Sequence, residues 1–202
     1  MERHPIFAAL YDSIMVPLDR LSFRPHRERT AAAATGRTLE VGIGTGLNID
    51  LYRSASRIVG IEPDPEMLRR AVRRAREASK PVHLVAASAE NLPFRGGSFD
   101  SVVASLVFCT IPDARSAARE VRRVLVPGSG AFHFFEHVRS SRPLFARLQD
   151  VATPVWKKLF GGCHPNRDTL PVFEKAGLAI ESCDRPGAVL IRGTARVGAG
   201  DV

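Results

Sequence analysis

The hydrophobic and polar positions of this 202-residue chain fall into two repeating patterns. Short apolar runs recur at residues 38–41, 57–61, 82–87, 98–105, 131–138, 179–183 and 188–197. Runs of this length, bounded by Gly, Pro, Ser and Asp, read as strands. Between them the apolar residues take helical spacing. Met67, Leu68, Ala71, Val72 and Ala75 form one stripe, and Ala114, Ala117, Ala118, Val121, Val124 and Leu125 form another. Strands alternating with helices predict an α/β fold with a mostly parallel sheet of seven strands and helices on both faces. Pro127-Gly128 stops the second helix. Residues 143–160 read as helical with a break or kink at Thr153-Pro154, because proline lacks the amide hydrogen and crowds the preceding turn. A loop over 161–166 then leads to a short helix over 169–176, closed by Gly177.

The first 37 residues stand outside the sheet pattern. Ile6, Leu10, Ile14 and Leu18 are spaced as on a helix, and a second helical piece precedes Gly36. The expected organisation is therefore a helical segment over 1–37 and one globular unit over 38–202. There are no internal repeats and no low-complexity linker.

The chemistry concentrates in Glu40-Val41-Gly42-Ile43-Gly44-Thr45-Gly46, an acid and a G-x-G-x-G turn at the end of the first strand. Glycines there let the backbone turn sharply and approach a ligand closely. The carboxyl end of a strand in an open α/β sheet is where nucleotides bind. The third glycine comes one residue earlier than in the G-x-G-x-x-G dinucleotide fingerprint, which disfavours a dehydrogenase. Glu62 ends the second strand, 20 residues after Gly42. A carboxylate at about that distance suits a ribose, whose two hydroxyls can both donate to it.

The sequence E-x-G-x-G-x-G, then Ala89-Glu90-Asn91-Leu92-Pro93-Phe94, Ser98-Phe99-Asp100 and Val124-Leu125-Val126-Pro127-Gly128, resembles the motif series of class I S-adenosylmethionine-dependent methyltransferases. The resemblance runs over about residues 39–138 with specific motifs and more loosely beyond. It implies a Rossmann-like methyltransferase fold, the cofactor S-adenosyl-L-methionine with S-adenosyl-L-homocysteine as product, and no metal. Carried onto this chain, Glu40, Gly42, Gly44 and Gly46 shape the cofactor turn and Glu62 takes the ribose. Ser88, Ala89 and Glu90 bound the adenine, and Ser105 and Leu106 border the methionine end. The family's N-terminal helices often form a lid over cofactor and substrate. Tyr11 would then face the site with Asp12 beside it; a packing helix with Tyr11 at its rim and an amphipathic helix on a membrane surface are the other readings.

Later residues narrow the resemblance. The run 130–138, Trp156, Phe160-Gly161-Gly162-Cys163, Asn166-Arg167-Asp168-Thr169 and Phe173-Glu174-Lys175-Ala176-Gly177 are similar to the methyltransferase-like 7 group within the type 11 methyltransferases. That group implies a small, apolar methyl acceptor, a thiol first, with a quinone or lipid amine next. This sequence departs from it in three ways. The animal members carry an apolar N-terminal membrane anchor that these first residues do not match. The usual Asp two residues before the motif Glu is Ser88, and P-G-G is Pro127-Gly128-Ser129. Ser88 can still bond the adenine amino group, more weakly than a carboxylate would. The rival reading from another class is a non-catalytic module that keeps the cofactor fold for regulation or assembly.

Sulfonium methyl transfer needs in-line alignment more than it needs a dedicated base. The catalytic candidates are Tyr11, Glu136 and His137, the last two at the end of the fifth strand, where a pair held by local hydrogen bonds is an equal reading. Cys109 reads as a buried, inert thiol, and Cys163-His164 lacks two further ligands at zinc spacing. Asp100 starts its strand, away from the site, and reads as structural.

Composition and charge add limits. The chain is 45% hydrophobic, enough for one full core, and no run reaches the ~18 apolar residues of a membrane span. Three cysteines with no C-x-x-C pair point to a reducing compartment and a cytoplasmic protein. The net charge of +8 sits largely on the outer faces of the two amphipathic helices. No aromatics alternate with those arginines, and no N-P-P-Y-like tetrapeptide follows the fourth strand, which argues against nucleic acid as substrate. Weak peripheral contact with anionic lipid stays open. The oligomeric state is not legible.

Overall fold

The computed structural model describes residues 22–159 and 161–198. Its seven strands are β1 (Thr35–Val41), β2 (Ser54–Ile61), β3 (Val82–Val85), β4 (Ser101–Ser105), β5 (Ala131–His137), β6 (Leu178–Asp184) and β7 (Leu190–Val197). They form one sheet in the order β3-β2-β1-β4-β5-β7-β6. The pairs among β1 to β5 are parallel, and β7 runs antiparallel to both of its neighbours. Five helices accompany the described strands: α1 (Arg24–Ala32), α2 (Pro65–Glu77), α3 (Ala114–Val124), α4 (Pro143–Leu159) and α5 (Leu170–Lys175).

The local reasons for these elements are visible in the side chains. Leu39 and Val41 on β1, and Val102, Val103 and Ala104 on β4, are fully buried, as expected for central strands covered on both faces. Asp64 starts α2 by accepting from the amides of Glu66 (2.7 Å) and Met67 (3.2 Å), with Pro65 in the first turn. Asp113 does the same for α3 through the amides of Arg115 and Ser116. Ala114, Ala117, Ala118, Val121 and Val124 then turn inward, the stripe read from the sequence.

One aromatic cluster ties the loop after β4 to β5 and α5. The Phe173 ring meets Phe108 and Phe132 edge-on at 4.9 Å and Phe134 at 5.1 Å, all four side chains being fully buried. Edge-to-face packing of this kind adds to simple burial.

Two differences from the sequence reading change the organisation. Strand β1 begins at Thr35, and α1 packs against β4, β5 and β7. Residues 24–37 thus join the globular body that was expected to begin at 38. The first predicted helix, with Tyr11 and Asp12, lies outside the described residues. Of the break or kink expected at Pro154, no break occurs: helix α4 runs through it. The hydroxyl of Thr153 donates to the Gln149 carbonyl (2.6 Å), and the Asp150 carbonyl that Pro154 leaves unpaired lies in an exposed part of the helix.

Replacing Phe173 by Ala removes the centre of the aromatic cluster. It should destabilise the fold by about 3–5 kcal/mol, seen as a lower urea midpoint with an unchanged slope.

Candidate active site

The connections leave β1 toward β2 and β4 toward β5, in opposite directions across the sheet, so a crevice opens beyond the carboxyl ends of β1 and β4. The glycine turn forms one wall. A Cβ on Gly42 would sit 2.1 Å from Cγ2 of Val107, so this glycine lets the turn pass the loop after β4. A Cβ on Gly46 would press on Ile49 and on Ala71 of α2 at 2.8 and 3.3 Å. Gly44 differs. At φ +57° it has no protein atom nearer to that position than a carbonyl oxygen at 4.0 Å, and it lines the cleft. Packing explains Gly42 and Gly46; an approaching ligand explains Gly44. The opposite wall carries Ser105 and Leu106. Leu106 has φ +58°, the one non-glycine positive φ among the described residues, and its amide donates to the Phe135 carbonyl (2.7 Å). Such backbone strain is typical of ligand-facing loops.

Behind the turn, the Glu40 carboxylate is buried and held from two sides. The amide nitrogen of Asn48 donates to one oxygen (2.7 Å) and the Tyr52 hydroxyl to the other (2.9 Å). Arg27 of α1 donates to the Asn48 side-chain oxygen (2.5 Å), and Asn48 also reaches the Ser105 hydroxyl (3.2 Å). Burial pushes the Glu40 carboxyl up to about 7 against the pull of Tyr52, Asn48 and Arg27. The Tyr52 phenol is pushed up by burial and by Glu40. Asn48, Tyr52 and Arg27 escaped the sequence reading. No fixed spacing marks them in the sequence.

Glu62 stands at the end of β2, also buried. Its oxygens accept from the Gly44 amide (3.0 Å) and the Asp64 amide (2.9 Å). Burial raises its pKa, and those two amides oppose the shift. A carboxylate has about four acceptor positions, so two remain for other donors. Ala89 is buried. The Ser88 hydroxyl donates to Glu90, whose other oxygen accepts from the Asp113 amide (3.1 Å). Glu90 therefore anchors the start of α3, and Ser88 keeps a lone pair for a neighbouring donor.

At the end of β5 the two candidates separate. Glu136 is fully buried; its Oε1 accepts from the amides of Val107 and Phe108, both at 3.1 Å. Burial pushes its carboxyl up to about 8 against those amides. It braces the loop after β4. His137 is half-buried, with its ring 6.5 Å from that of Trp156 on α4. Between them lies Cys163. The Cys109 thiol, His137 and Trp156 lower its pKa against the effect of burial, while the same thiol contact and burial raise that of Cys109. This thiol pair was not foreseen, since 54 residues separate its members.

A larger cavity, about 360 Å³, opens between α1 and the β6–β7 end of the sheet, against about 50 Å³ at the glycine cleft. Its wall includes the Arg192–Asp184 ion pair and His133 near Thr194, groups already satisfied by one another. It has no glycine turn at a strand end. Chemistry, not volume, selects the crevice.

Comparison with known proteins agrees. A family model described as a methyltransferase domain matches residues 39–134. Human thiol S-methyltransferase TMT1A is 33% identical over 177 residues, 86% of this chain and 72% of that protein. The chain belongs to the class I S-adenosylmethionine-dependent methyltransferases. Within them it falls in the group of TMT1A and TMT1B. The matches to rat and human TMT1B span 58% and 62% of those proteins. Phosphatidylethanolamine N-methyltransferase of Cereibacter sphaeroides is 36% identical over 143 residues, 68% of each chain. A methyltransferase structure from Thermotoga maritima covers 95% of this chain and 99% of its own at TM-score 0.68 and 23% identity, a likeness of fold.

The residues of this methyltransferase fit such a cofactor: an open approach at Gly44 and a buried Glu62 with acceptor capacity left. Among the described residues no group of His, Cys, Asp and Glu is arranged to hold a metal.

Glu40 and Glu136 also set a pH dependence. Both folded pKa values are raised, so the folded protein holds protons that the unfolded chain releases. Their stabilising contribution is complete below the ordinary carboxylate value of 4.5 and is lost as pH rises through about 7 and about 8. Urea unfolding across that range should show the decline, and Glu136→Gln should flatten its upper part.

Proposed function

We propose that this methyltransferase methylates a small apolar thiol. The observation that carries the reading is the 33% identity with the human thiol S-methyltransferase over 86% of the chain. When bound, the cofactor supplies an electrophilic methyl group on sulfur, and transfer leaves S-adenosyl-L-homocysteine. The protein's own work is placement. Gly42 and Gly46 let the turn pack in place, Gly44 lets the backbone reach the cofactor, and Glu62 accepts from the ribose hydroxyls. Ser88 and Ala89 border the adenine, with Glu90 setting Ser88 in place. Glu40 sets the turn through Asn48 and opposes the cationic end of the ligand, next to Ser105 and Leu106. Good alignment of acceptor and methyl supplies several kcal/mol of barrier lowering by itself.

The acceptor would enter beside Leu106, His137 and Trp156. A thiol loses its proton with an ordinary pKa near 8.5, so modest help suffices. His137 takes that proton in this reading. Glu136, buried under the loop, is a positioning residue. Tyr11 lies outside the described residues and is not assigned.

The acceptor at the second rank is a lipid amine, favoured by the 36% identity with the Cereibacter sphaeroides phosphatidylethanolamine enzyme. Incubation with methyl-labelled cofactor and a panel of alkyl thiols, quinones and phosphatidylethanolamine separates the two. Label in thiols supports the proposal; label confined to amines overturns it.

Two substitutions divide binding from transfer. Glu62→Ala should weaken cofactor binding about tenfold or more in equilibrium dialysis, with the fold intact by circular dichroism. His137→Gln should leave that affinity unchanged and lower kcat by ~10²-fold, with the loss shrinking at alkaline pH as the acceptor thiol ionises unaided.

A further inference from the structure

The large hydrophobic side chains left exposed among the described residues all lie on one helix. They are Leu144, Phe145, Leu148, Val151, Val155, Trp156 and Leu159 of α4. Leu144, Leu148, Val151, Val155 and Leu159 follow helical spacing and make a continuous stripe. Leu144 and Val151 are each 78% exposed. The body of the protein holds the other side of the helix. Ala146 and Thr153 are buried there, and the Gln149 amide donates to the carbonyls of Val138 (3.2 Å) and Pro165 (2.8 Å). The stripe therefore points away from the core. Contiguous exposed apolar surface of this kind marks an interaction site.

We infer that α4 is a docking helix that lies flat on an anionic lipid bilayer and buries this stripe at the headgroup boundary. Two features favour lipid. First, the edges of the stripe are those of an interfacial helix. Arg147 and Lys158 adjoin one side, where they can meet lipid phosphates, and Trp156 and Phe145 lie toward the other, at the depth aromatic rings prefer. Second, the local charge is positive. The helix has Arg147, Lys157 and Lys158 against one acid, Asp150, which is paired with Arg139 (2.5 Å), and the whole chain carries +8. A bilayer with anionic lipid complements that charge. No described helix is long and apolar enough to cross a membrane, so the contact is in the plane of the surface. Trp156 meets His137 at the end of β5, so the docked face adjoins the carboxyl end of that strand. The inference stands on α4 alone, whichever acceptor the site takes.

The test uses the full chain and vesicles of phosphatidylcholine with and without phosphatidylglycerol. Trp156 is the one tryptophan of the sequence and reports directly. The expected result is flotation with the anionic vesicles, weaker at high salt and with neutral vesicles, together with a blue shift of Trp156 emission. The double variant L148E/V155E should lose at least tenfold in vesicle affinity while its circular dichroism and cofactor binding stay unchanged. R147E/K158E should lose most of the preference for phosphatidylglycerol. Absence of flotation, or equal flotation of L148E/V155E, overturns the inference. So does a dimer in sedimentation that L148E/V155E dissociates without any vesicle binding, which would make a second copy the occupant. Increased hydrogen exchange over residues 1–21 in L148E/V155E without vesicle binding would assign the stripe to that segment instead, and also overturns it.

Discussion

The Glu40 carboxylate, sealed at the end of β1, is the joint on which the crevice depends. Asn48 and Tyr52 hold its two oxygens, Arg27 fixes Asn48 from α1, and Asn48 reaches across to Ser105 at the end of β4. Four elements meet through one buried acid. A buried charge is costly unless every lone pair is used, and in a low-dielectric setting the bonds that use them are strong. The arrangement therefore specifies one geometry of the glycine turn relative to the β4 loop. Removing a single partner would leave the remainder buried and unsatisfied.

The second wall is fixed from below by Glu136, whose oxygen gathers the amides of Val107 and Phe108, while Phe108 is locked by Phe132 and Phe173. The left-handed Leu106 sits between these two clamps. Its strain is held by the packing on either side. Two buried acids with raised pKa values, one behind each wall, serve structure first. In the proposed function, backbone, Glu62, Ser105 and His137 are the groups that face cofactor and substrate.

Much of this was legible in the sequence because it is local. The glycine turn, Glu62 at its fixed distance and the alanine stripe of α3 each follow from short-range spacing that the backbone enforces. What was missed depends on contacts between distant residues. Asn48 and Tyr52 look like ordinary loop residues until Glu40 is buried against them. Glu136 read equally well as a catalytic group or as a strand-end residue held by local hydrogen bonds, because a sequence does not show that the β4 loop folds over it. Pro154 read as a break or kink, and α4 continues through it, since one lost hydrogen bond on an exposed stretch is tolerated. The apolar residues of α4 fall at helical spacing, but only the tertiary structure shows that they face outward.

The claim that the crevice between β1 and β4 is a site for S-adenosylmethionine is tested most directly by isothermal titration calorimetry of the purified protein with that cofactor and, separately, with NAD. Micromolar, one-to-one binding of S-adenosylmethionine and no heat with NAD is the predicted result. Binding of NAD, or of neither compound, would contradict the account.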